Sequence, residues 1–275
     1  MTIPFTKMHG AGNDFILLDD RKLALPWQDH HLMAALATRR TGVGSEGVIL
    51  IQPSDAAHFR FRFLNPDGTE AALCGNGLRC AAAFAHKIGA APKKMDIETS
   101  RGNVRAELVP SGVKLRLPAP DERRHNLQIA LPGRRVHGHF VNSGVPHFVV
   151  PADNINDLDV EGEGRALRQH PDFAPEGANI DFAVFATDHA TMRTYERGVE
   201  AESGACGTGA VACAVVGVEC FNMKFPVRVR TFLGFELTVD RDENDPAHIT
   251  LTGPAKTVYR GTINLASLET GSTFE

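Results

Sequence analysis

The 275-residue sequence predicts an α+β protein of two pseudo-symmetric domains, each a curved, mostly antiparallel sheet wrapped around a central helix, with a cleft between them. Three observations carry this reading. The stretch EAALCGNGLRCAAA (70–83) recurs as ESGACGTGAVACAV (202–215), a cysteine and two glycines ahead of an alanine-rich run each time. At the offset of 132 separating Cys74 from Cys206, Glu70 meets Glu202, Gly75 meets Gly207, Gly77 meets Gly209 and Ala82 meets Ala214, and Thr99 and Gly102 meet Thr231 and Gly234. The remaining pattern is dominated by short β-rich runs bounded by Gly, Pro or Asp.

Taken in order, WQDHHLMAALATRR (27–40) has apolar residues at helical spacing and predicts the first helix. GVILI (47–51) and FRFRFL (59–64) read as strands, and the alanine-rich run after Cys74 as the central helix of the first half. VKLRL (113–117) is a further strand, and PAPDERRHN (118–126) concentrates proline and charge as a linker. In the second half FAVFA (182–186), VRVRTF (227–232) and HITLTG (248–253) are strands around the helix that follows Cys206. With small shifts, GAGNDFILLD resembles SGVPHFVVPAD and FRFLNPDG resembles MRTYERG, which extends the repeat upstream. The expected domains are 1–120, completed by 258–275, and 121–257; a single mixed domain is the alternative.

A composition of 43% apolar residues supports a full core. A net charge of −4 with scattered Lys and Arg lacks the basic footprint of a nucleic-acid binder, so a small polar substrate is the expected partner. The N-terminus has no charged segment followed by an apolar core, and the longest apolar run, GACGTGAVACAVVGV, is glycine-rich and ends at Glu219. The expectation is a cytoplasmic protein without a membrane partner. Five cysteines, an odd number in a chain this long, are expected as reduced thiols.

A helix N-terminus can bring a thiol from about 8.5 into the range of roughly 3.5–7.5, which makes Cys74 and Cys206 candidate acid/base groups. The glycines beside them leave backbone N–H groups able to hold a carboxylate. Two thiols on opposite sides of one bound molecule suit inversion at a Cα–H centre, which needs a base on one face of the carbanion and an acid on the other. Neutral readings stand beside this: a lone cysteine in such a turn is commonly a small buried residue, and two facing thiols of low pKa could instead form a redox disulfide. No Cys-x2-Cys pair is present, so no metal site is expected, and Cys80, Cys213 and Cys220 are assigned to packing.

HGAGNDF (9–15), NPDGTEAALCGNG (65–77), GVPHFV (144–149), GANIDF (177–182), YERG (195–198) and ACGTGA (205–210), in this order, resemble the diaminopimelate epimerase family. The resemblance implies a cofactor-independent, two-base epimerase that interconverts LL- and meso-diaminopimelate in lysine biosynthesis, with its active site in the interdomain cleft and a homodimer as one open assembly. It implies Cys74 and Cys206 as the acid/base pair, with His147 and Glu196 tuning their protonation. Asn13, Asn65, Asn179, Glu196 and Arg197 match substrate contacts, and Gly75, Asn76, Gly207 and Thr208 the cradle of the reacting carboxylate. Val145 stands where many members have Asn, and Gly47 where some have Gln, differences that bear on the far end of the substrate. A related racemase for another amino acid is the alternative they leave open.

Overall fold

The computed structural model describes residues 1–71 and 73–268, which fall into two units: Met1–Leu115 with the segment from Gly253 onward, and Arg116–Thr252. Positions 269–275 of the C-terminal segment expected to complete the first half lie outside the described residues.

The first unit opens with β1 (Thr2–Gly10) and β2 (Asn13–Asp19), and continues through α1 (His30–Ala37), β3 (Val48–Gln52), β4 (Phe59–Leu64), the short β5 (Glu70–Ala71) and α2 (Gly75–Lys87). It then adds β6 (Lys94–Thr99), β7 (Gly102–Val109) and β8 (Gly112–Pro118), the strand in which the chain passes to the second unit. Strand alternation sends side chains to two faces. On one, Ile16, Leu18, Val48 and Leu50 pack with Met33 and Leu36 of α1. On the other, β1 to β4 and β7 pack on α2, whose Leu78, Cys80, Ala81, Ala82 and Ala85 are wholly buried. The approach is close: a Cβ on Gly10 would lie 2.7 Å from the Asn76 carbonyl oxygen, and one on Gly77 3.1 Å from Ile49 Cδ1. Glycine at both places lets β1 and β3 reach the first turn of α2.

The second unit runs β9 (Arg123–Leu131), β10 (Arg134–Asn142), β11 (Pro146–Pro151), α3 (Val160–Arg168), β12 (Asn179–Phe185) and β13 (His189–Glu196). The short β14 (Ala201–Ser203) precedes α4 (Gly207–Cys220), β15 (Val227–Arg230), β16 (Glu236–Arg241) and β17 (His248–Gly253). The chain then returns to the first unit as β18 (Lys256–Asn264). Helix α4 is apolar nearly all round, the signature of a helix enclosed by its neighbours, and Ala210, Ala212, Cys213, Ala214 and Val216 have no exposure. The stretch expected as a linker is strand from Arg123 onward. Helix α3 was not among the elements expected, because Gly162 and Gly164 break its pattern. Gly164 is there for contact, since a Cβ would stand 2.3 Å from that of Tyr195.

The two units share one pairing scheme. β18–β1–β2 and β9–β10–β11 are antiparallel runs, β2–β3 and β11–β12 are parallel, and β3–β4 and β12–β13 are antiparallel. β4 and β13 each take a short antiparallel partner, β5 or β14, and a parallel one, β6 or β15. The register repeats as well, with Ile16 opposite Val48 in one unit and Phe148 opposite Ile180 in the other. The fold is α+β with two like units. Among the described residues no helix is long and apolar enough to cross a membrane.

Candidate functional sites at the two Cys-Gly-x-Gly turns

Each repeated turn is a helix cap. Cys74 (φ −139°, ψ 114°) and Cys206 (φ −111°, ψ 115°) are extended residues at the N-cap positions of α2 and α4. Each sulfur accepts a first-turn N–H at 3.4 Å, from Gly77 or from Gly209. All five cysteines are present as thiols.

Around Cys74 the first unit gathers Asn13 and Asn76. The Asn13 amide donates to Glu46, which turns its oxygen inward, where it accepts from the Cys74 thiol (3.6 Å) and from Asn76 Nδ2 (3.3 Å). Asn76 Oδ1 accepts from Arg79 Nη2 at 2.6 Å. Arg79 is fully buried with its guanidinium also near the Gly75 and Pro254 carbonyls. Burial disfavours its charge, and Cys80 and Cys74 oppose that by favouring it. Asn65 follows β4, with its amide donating to the Thr69 hydroxyl, and Gly75 opens α2 with space around it. Gly47 admits no side chain, since a Cβ would come within 2.3 Å of the Phe63 ring and 2.8 Å of the Leu64 carbonyl oxygen. Glu46, which holds Asn13 in place, was missed by sequence reasoning because the two are 33 positions apart.

Around Cys206 the second unit builds a chain of four groups. The Cys206 sulfur lies 3.3 Å from Thr208 Oγ1, which lies 2.9 Å from His147 Nε2; His147 Nδ1 lies 2.6 Å from Asp181 Oδ2. Thr194 donates to the other Asp181 oxygen at 2.7 Å. A carboxylate only accepts, so the imidazole proton sits on Nδ1 and Nε2 accepts from Thr208. His147 and Asp181 have no exposure. Asn179 donates to the Pro146 carbonyl (3.2 Å) and accepts the Arg197 backbone N–H (2.7 Å), and the Arg197 guanidinium pairs with Glu176 at 2.8 Å. The Gly207 and Thr208 backbone forms the first turn of α4, where the Thr208 carbonyl accepts from Ser143.

Asp181 was not foreseen, and the repeat shows what could have revealed it. At the 132 offset His147 and Asp181 answer to Phe15 and Ile49, and the strand register places Thr194 where the first unit has Phe63. Phe15 and Phe63 meet edge-to-face at 5.9 Å. An apolar cluster in one unit is a polar chain in the other.

The thiol electrostatics differ from the expectation for Cys206. Burial pushes this thiol well above its ordinary range, the Glu196 and Asp181 charges push it further, and the Thr208 and Gly209 hydrogen bonds only partly oppose them. Desolvation and two carboxylates outweigh the helix terminus. The position in α4 corresponding to Arg79 is Val211, which carries no charge.

The family model described as diaminopimelate epimerase matches residues 5–117 and 139–258. The chain is 39% identical to the diaminopimelate epimerase of Aquifex aeolicus (strain VF5) over 277 residues, covering 96% of this chain and 99% of that one. It is 40% identical to that of Chlorobaculum tepidum over 94% of this chain and all of the other. Among solved structures, a phenazine biosynthesis protein of the PhzF family from Bacillus anthracis matches with a TM-score of 0.71 at 16% identity, covering 96% and 99% of the two chains. A probable proline racemase from Agrobacterium radiobacter K84 matches at 0.69 and 19%, covering 96% and 93%. The structural likenesses establish a common fold, and the sequence matches establish the lineage: the chain belongs to the diaminopimelate epimerase family.

Proposed function

We propose that the protein inverts one Cα of 2,6-diaminopimelate, interconverting the LL and meso forms in lysine biosynthesis, with Cys74 and Cys206 as the two acid/base residues. One observation supports the chemistry most directly: two thiols cap the first turns of equivalent helices, each accepting a first-turn N–H. Cys74 lies near the buried Arg79, whose charge it favours against the cost of burial. Cys206 lies near Glu196 and Asp181 and is buried, which favours a thiol. A one-thiolate, one-thiol resting state is what a two-base inversion requires.

In this reading Cys74 removes the proton from one face of the α-carbon and Cys206 delivers one to the other. The first-turn N–H groups around Gly75, Asn76, Gly207 and Thr208 hold the α-carboxylate and stabilise the developing negative charge. The reverse reaction begins with Cys206 as the base. From the resting state this needs Cys206 as thiolate and Cys74 as thiol: His147 receives the Cys206 proton through the Thr208 hydroxyl, Asp181 stabilises the imidazolium that results, and Cys74 takes a proton from water. Arg197 and the amides of Asn13, Asn65 and Asn179 address the polar groups of the substrate. All of this takes place in the cytoplasm, where reducing conditions keep both sulfurs as thiols.

The test is a single assay without added cofactor: LL-diaminopimelate in deuterium oxide, following stereochemistry and Cα deuterium together. Inversion with one solvent deuterium at Cα supports the epimerase. Inversion of another amino acid in preference to diaminopimelate would establish the related racemase, and thiol–disulfide exchange without inversion would establish the redox alternative.

Two further results are expected. Glu196→Gln removes a negative charge that helps keep Cys206 protonated, so the alkaline limb of the kcat/KM profile should move to lower pH. Burial still raises this thiol, so the shift is partial; an unmoved limb would remove Glu196 from the site. Arg197→Lys should raise KM by about 10–100-fold, since lysine keeps the charge but loses the planar fork, and a hydrogen bond to a charged group contributes about 1.5–3 kcal/mol. An unchanged KM would detach Arg197 from substrate recognition.

A further inference from the structure

Cys80 and Cys213 behave as the packing residues expected, enclosed in α2 and α4. Cys220, the last residue of α4, has different company. Its sulfur lies 3.4 Å from His139 Nδ1, and the His125 and His139 rings are 5.4 Å apart between centroids. One ligand atom from each of His125, His139 and Cys220 falls within 4.8 Å of the others, and among the described residues no other such group of His, Cys, Asp and Glu occurs.

We propose that His125, His139 and Cys220 form a binding site for a divalent transition-metal ion of borderline softness, with Zn²⁺ as its occupant. The strongest observation is unmet polarity. His139 is 1% exposed, yet its Nε2 is buried with no hydrogen-bond partner, and His125 Nδ1 is likewise buried and unpartnered. Buried ring nitrogens are normally satisfied, and an unsatisfied one on each of two rings with centroids 5.4 Å apart calls for a ligand. The backbone is shaped for this meeting. The β9–β10 register shifts between Gly138 and Phe140, and Asn126 takes a left-handed φ of 56°, so the strands step where the two histidines lie.

The donor set suits the ion. Imidazole and thiolate together select zinc over hard cations. Tetrahedral bonds of about 2.0–2.3 Å place ligand atoms roughly 3.3–3.6 Å apart, within reach by side-chain shifts of about 1 Å. The surroundings suit it as well: His125 Nε2 bonds Glu219 at 2.8 Å, leaving Nδ1 for the metal, and Glu219 is held in turn by Arg123. A carboxylate on the far nitrogen is the usual support of a metal-bound histidine. Water would complete the coordination. The site would tie the end of α4 to β9 and β10, fixing from behind the helix that begins at Cys206 without entering the chemistry. These three ligands are scattered over 96 positions, which is why sequence spacing predicts no metal.

The test uses the reduced full-length protein, stripped of metal and titrated with Co²⁺, then with Zn²⁺ in competition with a chromophoric chelator. The expected result is one Co²⁺ per chain with tetrahedral visible bands and sulfur-to-cobalt charge transfer, displaced by Zn²⁺. Cys220→Ser should abolish the charge transfer, and His139→Gln and the partly exposed His125→Gln should each weaken Zn²⁺ binding by more than about 100-fold. Circular dichroism identifies folded variants, and bound Zn²⁺ should raise the melting temperature of the wild type but not of folded Cys220→Ser. No stoichiometric binding, a charge-transfer band surviving in Cys220→Ser, or one lost in Cys74→Ser or Cys206→Ser would overturn the assignment.

Discussion

Cys74→Ser and Cys206→Ser are each expected to lower inversion of LL-diaminopimelate by about 10²–10⁴-fold, the range typical of a lost general acid or base. The fold should survive, for a reason visible at the caps. Both sulfurs accept a first-turn N–H, and serine is among the best residues at that position, so a hydroxyl replaces the structural role of the thiol. It does not replace the acidity. The more telling readout is exchange without inversion. A variant with one surviving thiol can still remove and return a proton on the face that thiol serves. Each variant should therefore exchange the Cα hydrogen of one stereoisomer with deuterium while product of the other configuration hardly accumulates, and the two variants should favour opposite stereoisomers. Near-normal turnover in either one, or the same preference in both, would sink the two-thiol mechanism.

The parts of this arrangement that were legible in sequence are those where local chemistry and local structure coincide. A cysteine, two glycines and an alanine run specify an N-cap, a close approach and a buried helix within a dozen residues, and a second copy makes the pattern hard to miss. Runs such as FRFRFL and HITLTG announce strands by alternation and β-branching, and these coincide with β4 and β17. Helix α3 lacks such a signature, because its glycines serve packing on Tyr195 and the Asp159 cap rather than helix propensity. The polar chain behind Cys206 lay beyond sequence reasoning for a different reason. Asp181 sits in the strand NIDFAVF, where an acidic residue reads as a solvent-facing position, yet it is wholly buried. Its partner His147 is 34 positions away, and only the parallel β11–β12 register brings them together. The pKa of Cys206 followed the same rule, since burial and distant carboxylates decided what the helix start alone suggested.

That polar chain carries the second large effect. His147→Gln is expected to lower inversion by about 10²–10³-fold, because glutamine can bond Thr208 but cannot take up the proton that Cys206 releases. Asp181→Asn should cost less, about tenfold: its amide can still accept from His147 Nδ1–H while donating to Thr194, so the tautomer survives and only the charge that stabilises an imidazolium is lost. Asparagine is the informative choice, since a smaller residue would strip partners from a buried network and destabilise the unit by about 3–5 kcal/mol. If the residues form one device, the double variant should be no slower than His147→Gln alone, because a carboxylate with no imidazole to serve has nothing left to contribute. Both directions must lose kcat/KM by the same factor, since the equilibrium between the stereoisomers belongs to the substrates. Deuterium exchange separates this from general damage: exchange at the face served by Cys74 should persist, while exchange at the face served by Cys206 falls with inversion. Equal loss at both faces, or full additivity in the double variant, would show that His147 and Asp181 support the fold and leave the proton transfer to the thiols alone.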